Sequence, residues 1–120
     1  MKNVIVTGGL GFIGSNLINI LKKKYFIINI DKVTYASNFN NISSDIKNYK
    51  FYKQDINNKI FIQKILDKYN PSFIFNLAAE THVDRSIDGP KQFIKSNILG
   101  VFNLLEAIRN YKKKQYVERR

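Results

Sequence analysis

Cysteine is absent from this chain and histidine occurs once. Without cysteine no disulfide can form, and one histidine alone argues against a zinc site, so we expect no bound metal. No apolar run approaches the length of a membrane span, and the apolar start at Val4–Val6 is too short for a signal peptide. These absences are typical of a cytoplasmic protein that has no membrane partner.

Acidic residues are also few: 9 Asp and Glu face 20 Lys and Arg, and the formal net charge is +11. Such a charge can indicate nucleic-acid binding. Here, however, the cations are mostly lysines scattered along the chain. The two local runs, Lys22–Lys24 and Lys112–Lys114, lie where helices are expected to end, and a cation there favours the negative end of the helix dipole. We therefore interpret the charge as a solvated surface and expect no nucleic-acid partner.

A glycine-rich turn follows the first β-branched run. The segment Val4–Gly14 reads VIVTGGLGFIG, which predicts a strand, a tight turn and a helix start. Glycines allow the sharp turn, a close approach to a pyrophosphate and tight packing of helix on strand. The unpaired N–H groups of the first helical turn are expected to face the phosphates. The residues assigned to this phosphate site are Gly8, Gly11, Phe12, Ile13 and Gly14.

A carboxylate follows the next apolar run. Phe26–Ile30 predicts a second buried strand, and Asp31 ends it about twenty residues after the glycines, where an acidic side chain can accept the ribose hydroxyls of a dinucleotide. The same charge repels the 2′-phosphate of NADP, so NAD is the expected cofactor. Lys32 partly offsets that repulsion, and an aspartate that merely caps a turn is the alternative interpretation.

Strand and helix patterns alternate along residues 1–120, which predicts one α/β domain with a doubly wound parallel sheet, a Rossmann fold. The family resemblance described below implies that this fold is incomplete at its C-terminus. The predicted strands are Asn3–Thr7, Phe26–Asp31, Tyr49–Gln54 and Ser72–Leu77. The predicted helices are Phe12–Lys24, Asn58–Tyr69 and a long one from near Pro90 to about Tyr111.

The glycine spacing fits both the ordinary dinucleotide fingerprint and that of short-chain dehydrogenase/reductases. The string Asn76–Pro90, NLAAETHVDRSIDGP, resembles the signature of the extended short-chain dehydrogenase/reductases, most closely the dTDP-glucose 4,6-dehydratases. The segments Asp31–Asn38 and Ser96–Ala107 resemble the same family. The likeness extends from Met1 to about Tyr111, and it implies NAD as cofactor and a nucleotide sugar, dTDP-glucose, as substrate.

The resemblance also implies further site residues. Asp55 and Ile56 match the family's adenine contact, with a helix cap as the alternative. The backbone from Leu77 to Thr81 is expected to approach the cofactor, Thr81 also to touch the sugar nucleotide, and Ser96 to lie near the cofactor. The cofactor-binding residues so implied are Lys32, Val33, Thr34, Asp55, Ile56, Leu77, Ala78, Ala79, Glu80, Thr81 and Ser96.

The family's catalytic groups are a Tyr-x-x-x-Lys pair and a Thr-Asp-Glu group that follow the long helix, and this chain ends at Arg120 before either. We therefore expect an N-terminal piece of a dehydratase that lacks the substrate domain, has no catalytic residue and is inactive alone. The matching string Tyr49–Lys53 is rejected because it predicts a strand. Residues four apart rise roughly 6 Å on a helix but roughly 13 Å on a strand.

Two alternatives stay open for the function. One is a related epimerase or dehydratase that acts on uridine-diphosphate sugars, and the other is a non-catalytic NAD-binding fragment. The long helix is apolar over more than one stripe, so we expect a homodimer contact in the intact enzyme; cover by further chain is the alternative. The apolar residues of this helix are Phe93, Ile94, Ile98, Val101, Phe102, Leu104, Leu105 and Ile108.

Overall fold

The structure of the chain is a computed structural model, and it describes residues 1–33, 42, 47–78 and 98–118. Within these residues the chain forms four strands and three helices. The strands are β1 (Lys2–Thr7), β2 (Tyr25–Asp31), β3 (Tyr49–Lys53) and β4 (Phe73–Asn76), and the helices are α1 (Phe12–Leu21), α2 (Lys59–Tyr69) and α3 (Gly100–Glu118).

The four strands form one parallel sheet in the order β3-β2-β1-β4. This is the order of the first four strands of a dinucleotide-binding fold, 3-2-1-4. Thr7 at the end of β1 pairs with Ile30 on one side and with Asn76 on the other. The carboxyl ends of β1, β2 and β4 therefore meet at one edge of the sheet, and the predicted α/β class with a parallel sheet is confirmed.

The chain divides into two compact units, and the sheet belongs to the first, which comprises Met1–Asp55 and Pro71–Ala78. Its core forms where Ile18 of α1 packs against Val4 and Val6 of β1 and Ile27 of β2. All four side chains are fully buried. The alternation of strand side chains puts the three strand residues on one face of the sheet, so α1 is fixed directly after the glycine turn.

The second unit comprises Ile56–Asn70 and Ala79–Arg120, and its described helices are α2 and α3. The two helices bury an apolar seam and are joined by polar contacts. The Gln63 amide donates to the Ala107 carbonyl at 3.0 Å, and Tyr111 donates its hydroxyl to Asn70. The buried residues of this seam are Ile62, Ile65, Leu66, Leu104, Ala107 and Tyr111.

Two predicted helix ends are wrong. Helix α1 ends at Leu21 rather than Lys24, because the chain must turn through the three lysines to start β2, and the Lys24 amide closes that turn on the Leu21 carbonyl at 3.1 Å. Helix α3 continues beyond Tyr111 to Glu118. Lys112–Lys114 therefore lie inside a helix, where lysine and glutamine are good helix formers and no glycine or proline intervenes.

The other described boundaries agree with the predictions to within two residues, and the strand assignment of Tyr49–Lys53 is confirmed. The predicted start of the long helix near Pro90 lies outside the described residues. The single-domain prediction for residues 1–120 stays a prediction. No helix in the described part of the chain has the length and apolar character needed to span a bilayer.

Candidate functional site

The glycine turn connects β1 to α1 at the carboxyl edge of the sheet. Gly8 has φ of +70°, a backbone conformation that residues with a Cβ rarely adopt, and its amide donates to the Ile30 carbonyl at 2.8 Å. A Cβ at Gly14 would lie 2.3 Å from the Gly8 carbonyl oxygen, so helix and turn touch there. Gly8 and Gly14 are therefore required by the fold itself.

Gly11 differs from both. A Cβ on Gly11 would meet nothing closer than the Gly8 carbonyl oxygen at 3.4 Å, an ordinary contact, and φ of −74° is open to any residue. Among the residues that the structure describes, no other atom lies within 4 Å of that position, so the space in front of Gly11 is open with respect to them. Since the fold does not require glycine here, the open space fits the predicted close approach of a pyrophosphate.

The first turn of α1 begins at Gly11. Gly11 is its N-cap, and no side chain in the described part of the chain caps it, so the early N–H groups are not capped there and suit a ligand such as a phosphate. Phe12 and Ile13 are 79 % and 69 % exposed, which shows that neither side chain is held in the core. Their predicted role rests on the backbone rather than on the rings or methyl groups.

Asp31 lies at the end of β2 with a buried carboxylate. One oxygen, Oδ2, accepts from the Leu10 amide at 3.0 Å, and Oδ1 accepts from the Val33 amide at 2.8 Å. Each carboxylate oxygen can accept more than one hydrogen bond, so the Leu10 and Val33 amides do not by themselves saturate the carboxylate. Asp31 therefore fixes the glycine turn as well as presenting a negative charge beside it.

The two residues after Asp31 lie half-buried at the same strand end. Val33 has φ of +61°, which is uncommon for a β-branched residue and signals backbone strain where the predicted ribose segment begins. The hydrogen bond from the Val33 amide to the Asp31 carboxylate holds this conformation. Lys32 and Val33 are thus next to the carboxylate, while Thr34 lies outside the described residues.

The end of β4 is tied to β1 through Thr7. The Thr7 hydroxyl accepts from the Leu77 and Ala78 amides at 3.1 and 3.2 Å, and it donates to the Asn76 side chain. The Leu77 amide also donates to the Thr7 carbonyl at 3.0 Å. These N–H groups already donate within the protein. If the backbone of Leu77 and Ala78 contacts a cofactor as predicted, the contact is therefore made by their carbonyl groups.

The alternative explanation of Asp55 as a helix cap is not supported. The N-cap of α2 is Asn58, whose side chain accepts from the Phe61 amide at 3.1 Å. Asp55 is half-buried directly after β3, and Ile56, the first residue of the second unit, is buried. The remaining predicted site residues, Ala79, Glu80, Thr81 and Ser96, lie outside the described residues.

Sequence reasoning missed Thr7 and Asn29, two fully buried polar residues of the carboxyl edge. Asn29 Oδ1 accepts from the Gly9 amide at 3.0 Å, and its Nδ2 donates to the Tyr49 hydroxyl at 2.9 Å. A polar residue inside an otherwise apolar strand, as in Phe26–Ile30, was the available signal, because buried polar groups need partners.

Comparison with known proteins adds the family. The family model described as GDP-mannose 4,6 dehydratase matches residues 5–118. The dTDP-glucose 4,6-dehydratase of Haemophilus influenzae is 47% identical over 92% of this chain and 34% of its own length. The chain therefore spans about a third of the length of this curated relative, and the expected resemblance is confirmed.

Solved structures give the same result at the level of the fold. The dTDP-glucose 4,6-dehydratase of Bacillus anthracis, solved in complex with NAD, superposes with a TM-score of 0.80 at 34% identity, over 92% of this chain and 34% of that one. The UDP-glucose 4-epimerase of Thermotoga maritima, solved with UDP-glucose, gives 0.83 at 33% identity, over 92% of this chain and 35% of that one. With its glycine turn, its parallel sheet and these likenesses, the chain belongs to the GDP-mannose 4,6 dehydratase family.

Proposed function

We propose that this chain binds NAD at the carboxyl edge of its sheet and forms the dinucleotide half of a nucleotide-sugar 4,6-dehydratase whose substrate is dTDP-glucose. The observation that carries the proposal is the pairing of open space at Gly11 with the buried Asp31 carboxylate behind the same turn. Pyrophosphate and ribose of one dinucleotide need these two features side by side.

The residues have separate tasks in this proposal. Gly11 and the first amides of α1 bind the pyrophosphate, and Asp31 accepts the adenosine ribose hydroxyls while it holds the turn. Asp55 and Ile56 contact the adenine. NAD, when bound, supplies the chemistry of taking up a hydride from the sugar and returning it after water has been lost.

The substrate assignment rests on relatives, and its two alternatives differ in the nucleotide base of the sugar nucleotide. dTDP-glucose is favoured because the curated relatives at 40 to 47% identity are dTDP-glucose 4,6-dehydratases. A uridine-diphosphate sugar is the runner-up, since epimerases of that class share the fold. Turnover assays of the full product of the gene with dTDP-glucose and UDP-glucose in parallel decide between them; turnover of UDP-glucose alone would overturn our choice.

The other alternative is an NAD-binding fragment without catalysis, and for the 120-residue chain alone we propose this state. The string Tyr49–Lys53 lies on a strand, where its two ends are too far apart for the lysine to assist the tyrosine. We also propose a homodimer through α3 in the intact enzyme. The cytoplasmic location and the lack of a nucleic-acid partner stay predictions from composition.

Titration calorimetry with NAD and NADP tests the cofactor proposal. We expect NAD to bind more tightly than NADP, and Asp31→Asn to weaken NAD binding about tenfold while reducing the preference over NADP, because a neutral amide no longer repels the 2′-phosphate. Asp67→Asn, an exposed carboxylate of α2, is the matched control and leaves both affinities unchanged. Tighter binding of NADP by the wild-type chain would show that Lys32 dominates at the ribose and would refute the assignment of NAD.

A further inference from the structure

Two residues on one face of β2 hold two successive amides of the glycine turn. Asn29 Oδ1 accepts from the Gly9 amide and Asp31 Oδ2 from the Leu10 amide, both at 3.0 Å. Residues two apart on a strand lie on the same face, so the turn runs along this face for two peptides before it reaches Gly11. The side chains of β2 therefore set the position of the segment that approaches the pyrophosphate.

Asn29 is the more deeply placed of the two, with no exposed surface. Its orientation is fixed from both ends, because the Gly9 amide can only donate and must face Oδ1, which leaves Nδ2 for the Tyr49 hydroxyl at 2.9 Å. Burial raises the pKa of Tyr49, with the Asp31 charge acting in the same direction, so its hydroxyl stays neutral and can accept at pH 7. The Asn29 amide is thus held between two elements.

Gly9 packs against the Asn29 side chain too closely for any larger residue. A Cβ on Gly9 would lie 2.3 Å from Asn29 Oδ1 and 2.5 Å from Ile18 Cδ1. The turn is therefore pressed against the Asn29 side chain on one side and the helix core on the other. Removing the side-chain amide of Asn29 leaves the buried Gly9 N–H without its acceptor. We expect the turn to shift until this N–H finds another acceptor.

We propose that Asn29 is a positioning residue for the dinucleotide: through the Gly9 amide it sets where Gly11 lies, and so determines the affinity for the pyrophosphate. The inference rests on the proposed NAD site. Asn29 does not touch the ligand itself. Its effect is expected to depend on whether the ligand carries a pyrophosphate.

Comparing ligands with and without a pyrophosphate distinguishes this positioning role from a purely structural one, which would weaken both ligands equally. In Asn29→Leu, which fills the volume without an acceptor, we expect the Kd for NAD to rise about tenfold and the Kd for AMP, which has no pyrophosphate, to rise less than about twofold. Ile28→Val, a buried residue on the opposite face of β2, is the matched control for lost packing and leaves the ratio of the two Kd values unchanged. Calorimetry is done well below the melting temperature of each variant.

Equal weakening of NAD and AMP, or no weakening in a folded Asn29→Leu, would overturn the proposal. If Asn29→Leu does not fold, Asn29→Thr takes its place, because threonine suits a buried strand and its hydroxyl is one bond too short to replace Oδ1. Independently, amide hydrogen exchange in the wild type must show Gly9 protected relative to the exposed Ile13. A wild-type chain that binds neither NAD nor AMP would instead refute the NAD site itself.

Discussion

Gly11 and Gly14 belong to one turn, but a methyl group added to each meets different surroundings. At Gly11 it points into open space, and at Gly14 it lies against the Gly8 carbonyl. In Gly11→Ala we expect the free energy of unfolding to fall by less than about 1 kcal/mol, since alanine is a poorer N-cap than glycine. The Kd for NAD should rise tenfold or more, because the methyl group occupies the pyrophosphate position. Urea unfolding and calorimetry measure the two quantities.

Gly14→Ala is the contrasting variant. Its methyl group has no room, so we expect it to destabilise the fold by about 1 to 3 kcal/mol, the usual cost of overpacking. A Gly11→Ala chain that binds NAD like the wild type would mean that the open space at Gly11 is not the phosphate site.

The raised pKa of Tyr49 predicts that the stability of the folded chain depends on pH. Burial raises its pKa above 10.0 in the folded state, so the unfolded chain loses this proton first as the pH increases. The contribution of the neutral Tyr49 hydroxyl to the free energy of unfolding is therefore complete below about pH 10, and it is lost as the pH rises through the folded-state pKa of Tyr49. We expect unfolding free energy to decline less steeply between pH 9 and 11 in Tyr49→Phe than in the wild type. Urea titrations across this range test it, and an identical decline in Tyr49→Phe and the wild type would contradict the expectation.

The residues that sequence reasoning found at the site are those whose type is demanded locally. Gly8 needs a positive φ and Asp31 ends an apolar run, and both features are visible in a short window. The roles of Asn29 and Thr7 were not predicted, because their hydrogen-bond partners lie 20 and at least 69 residues away in the sequence. These roles depend on the strand order rather than on neighbouring residues. Long-range polar contacts of this kind have no local pattern.

Helix α3 carries an exposed apolar stripe, and this is the element on which a dimer depends. Phe102 and Leu105 of this helix, and Ile98 and Leu99 directly before it, are each half exposed or more. Ile98, Phe102 and Leu105 follow helical spacing. Surfaces of this kind are typical of protein contacts. We expect the 120-residue chain to self-associate at micromolar concentration and Phe102→Ser with Leu105→Ser to shift it to monomer in sedimentation velocity.

Arg109→Ser, an exposed residue of the same helix, is the control and should leave the association unchanged. A wild-type chain that stays monomeric up to millimolar concentration would favour the alternative, in which further chain covers the stripe.

Element types were predicted well along the described chain, whereas the C-terminal ends of α1 and α3 were not. The lysines after Leu21 and the lysines after Tyr111 look alike in sequence, but the first run forms a turn and the second continues a helix. What differs is the tertiary context. A strand must start at Tyr25, while Tyr111 is buried against Asn70 and holds the helix in place there. Neither constraint is visible in the composition of the runs.

For the whole chain we expect cofactor binding to stabilise the fold. NAD at a hundred times its Kd should raise the free energy of unfolding by about 2.7 kcal/mol, and the melting temperature should increase with NAD concentration, because the cofactor binds the folded state. Thermal melts at increasing NAD concentration measure this shift, and a melting temperature that does not change with NAD would contradict the expectation.

The strand order also has a consequence for synthesis on the ribosome. β1 lies between β2 and β4, and the Thr7–Asn76 contact that closes its outer side joins residues 69 positions apart. At translation rates of about 5 to 20 residues per second, that side of β1 waits roughly 3 to 14 s for its partner. During this interval the nascent chain exposes an apolar strand edge, the kind of surface that pairs with other chains. Vectorial folding of this molecule is therefore limited by the arrival of β4, and chaperone protection is needed most before Asn76 emerges.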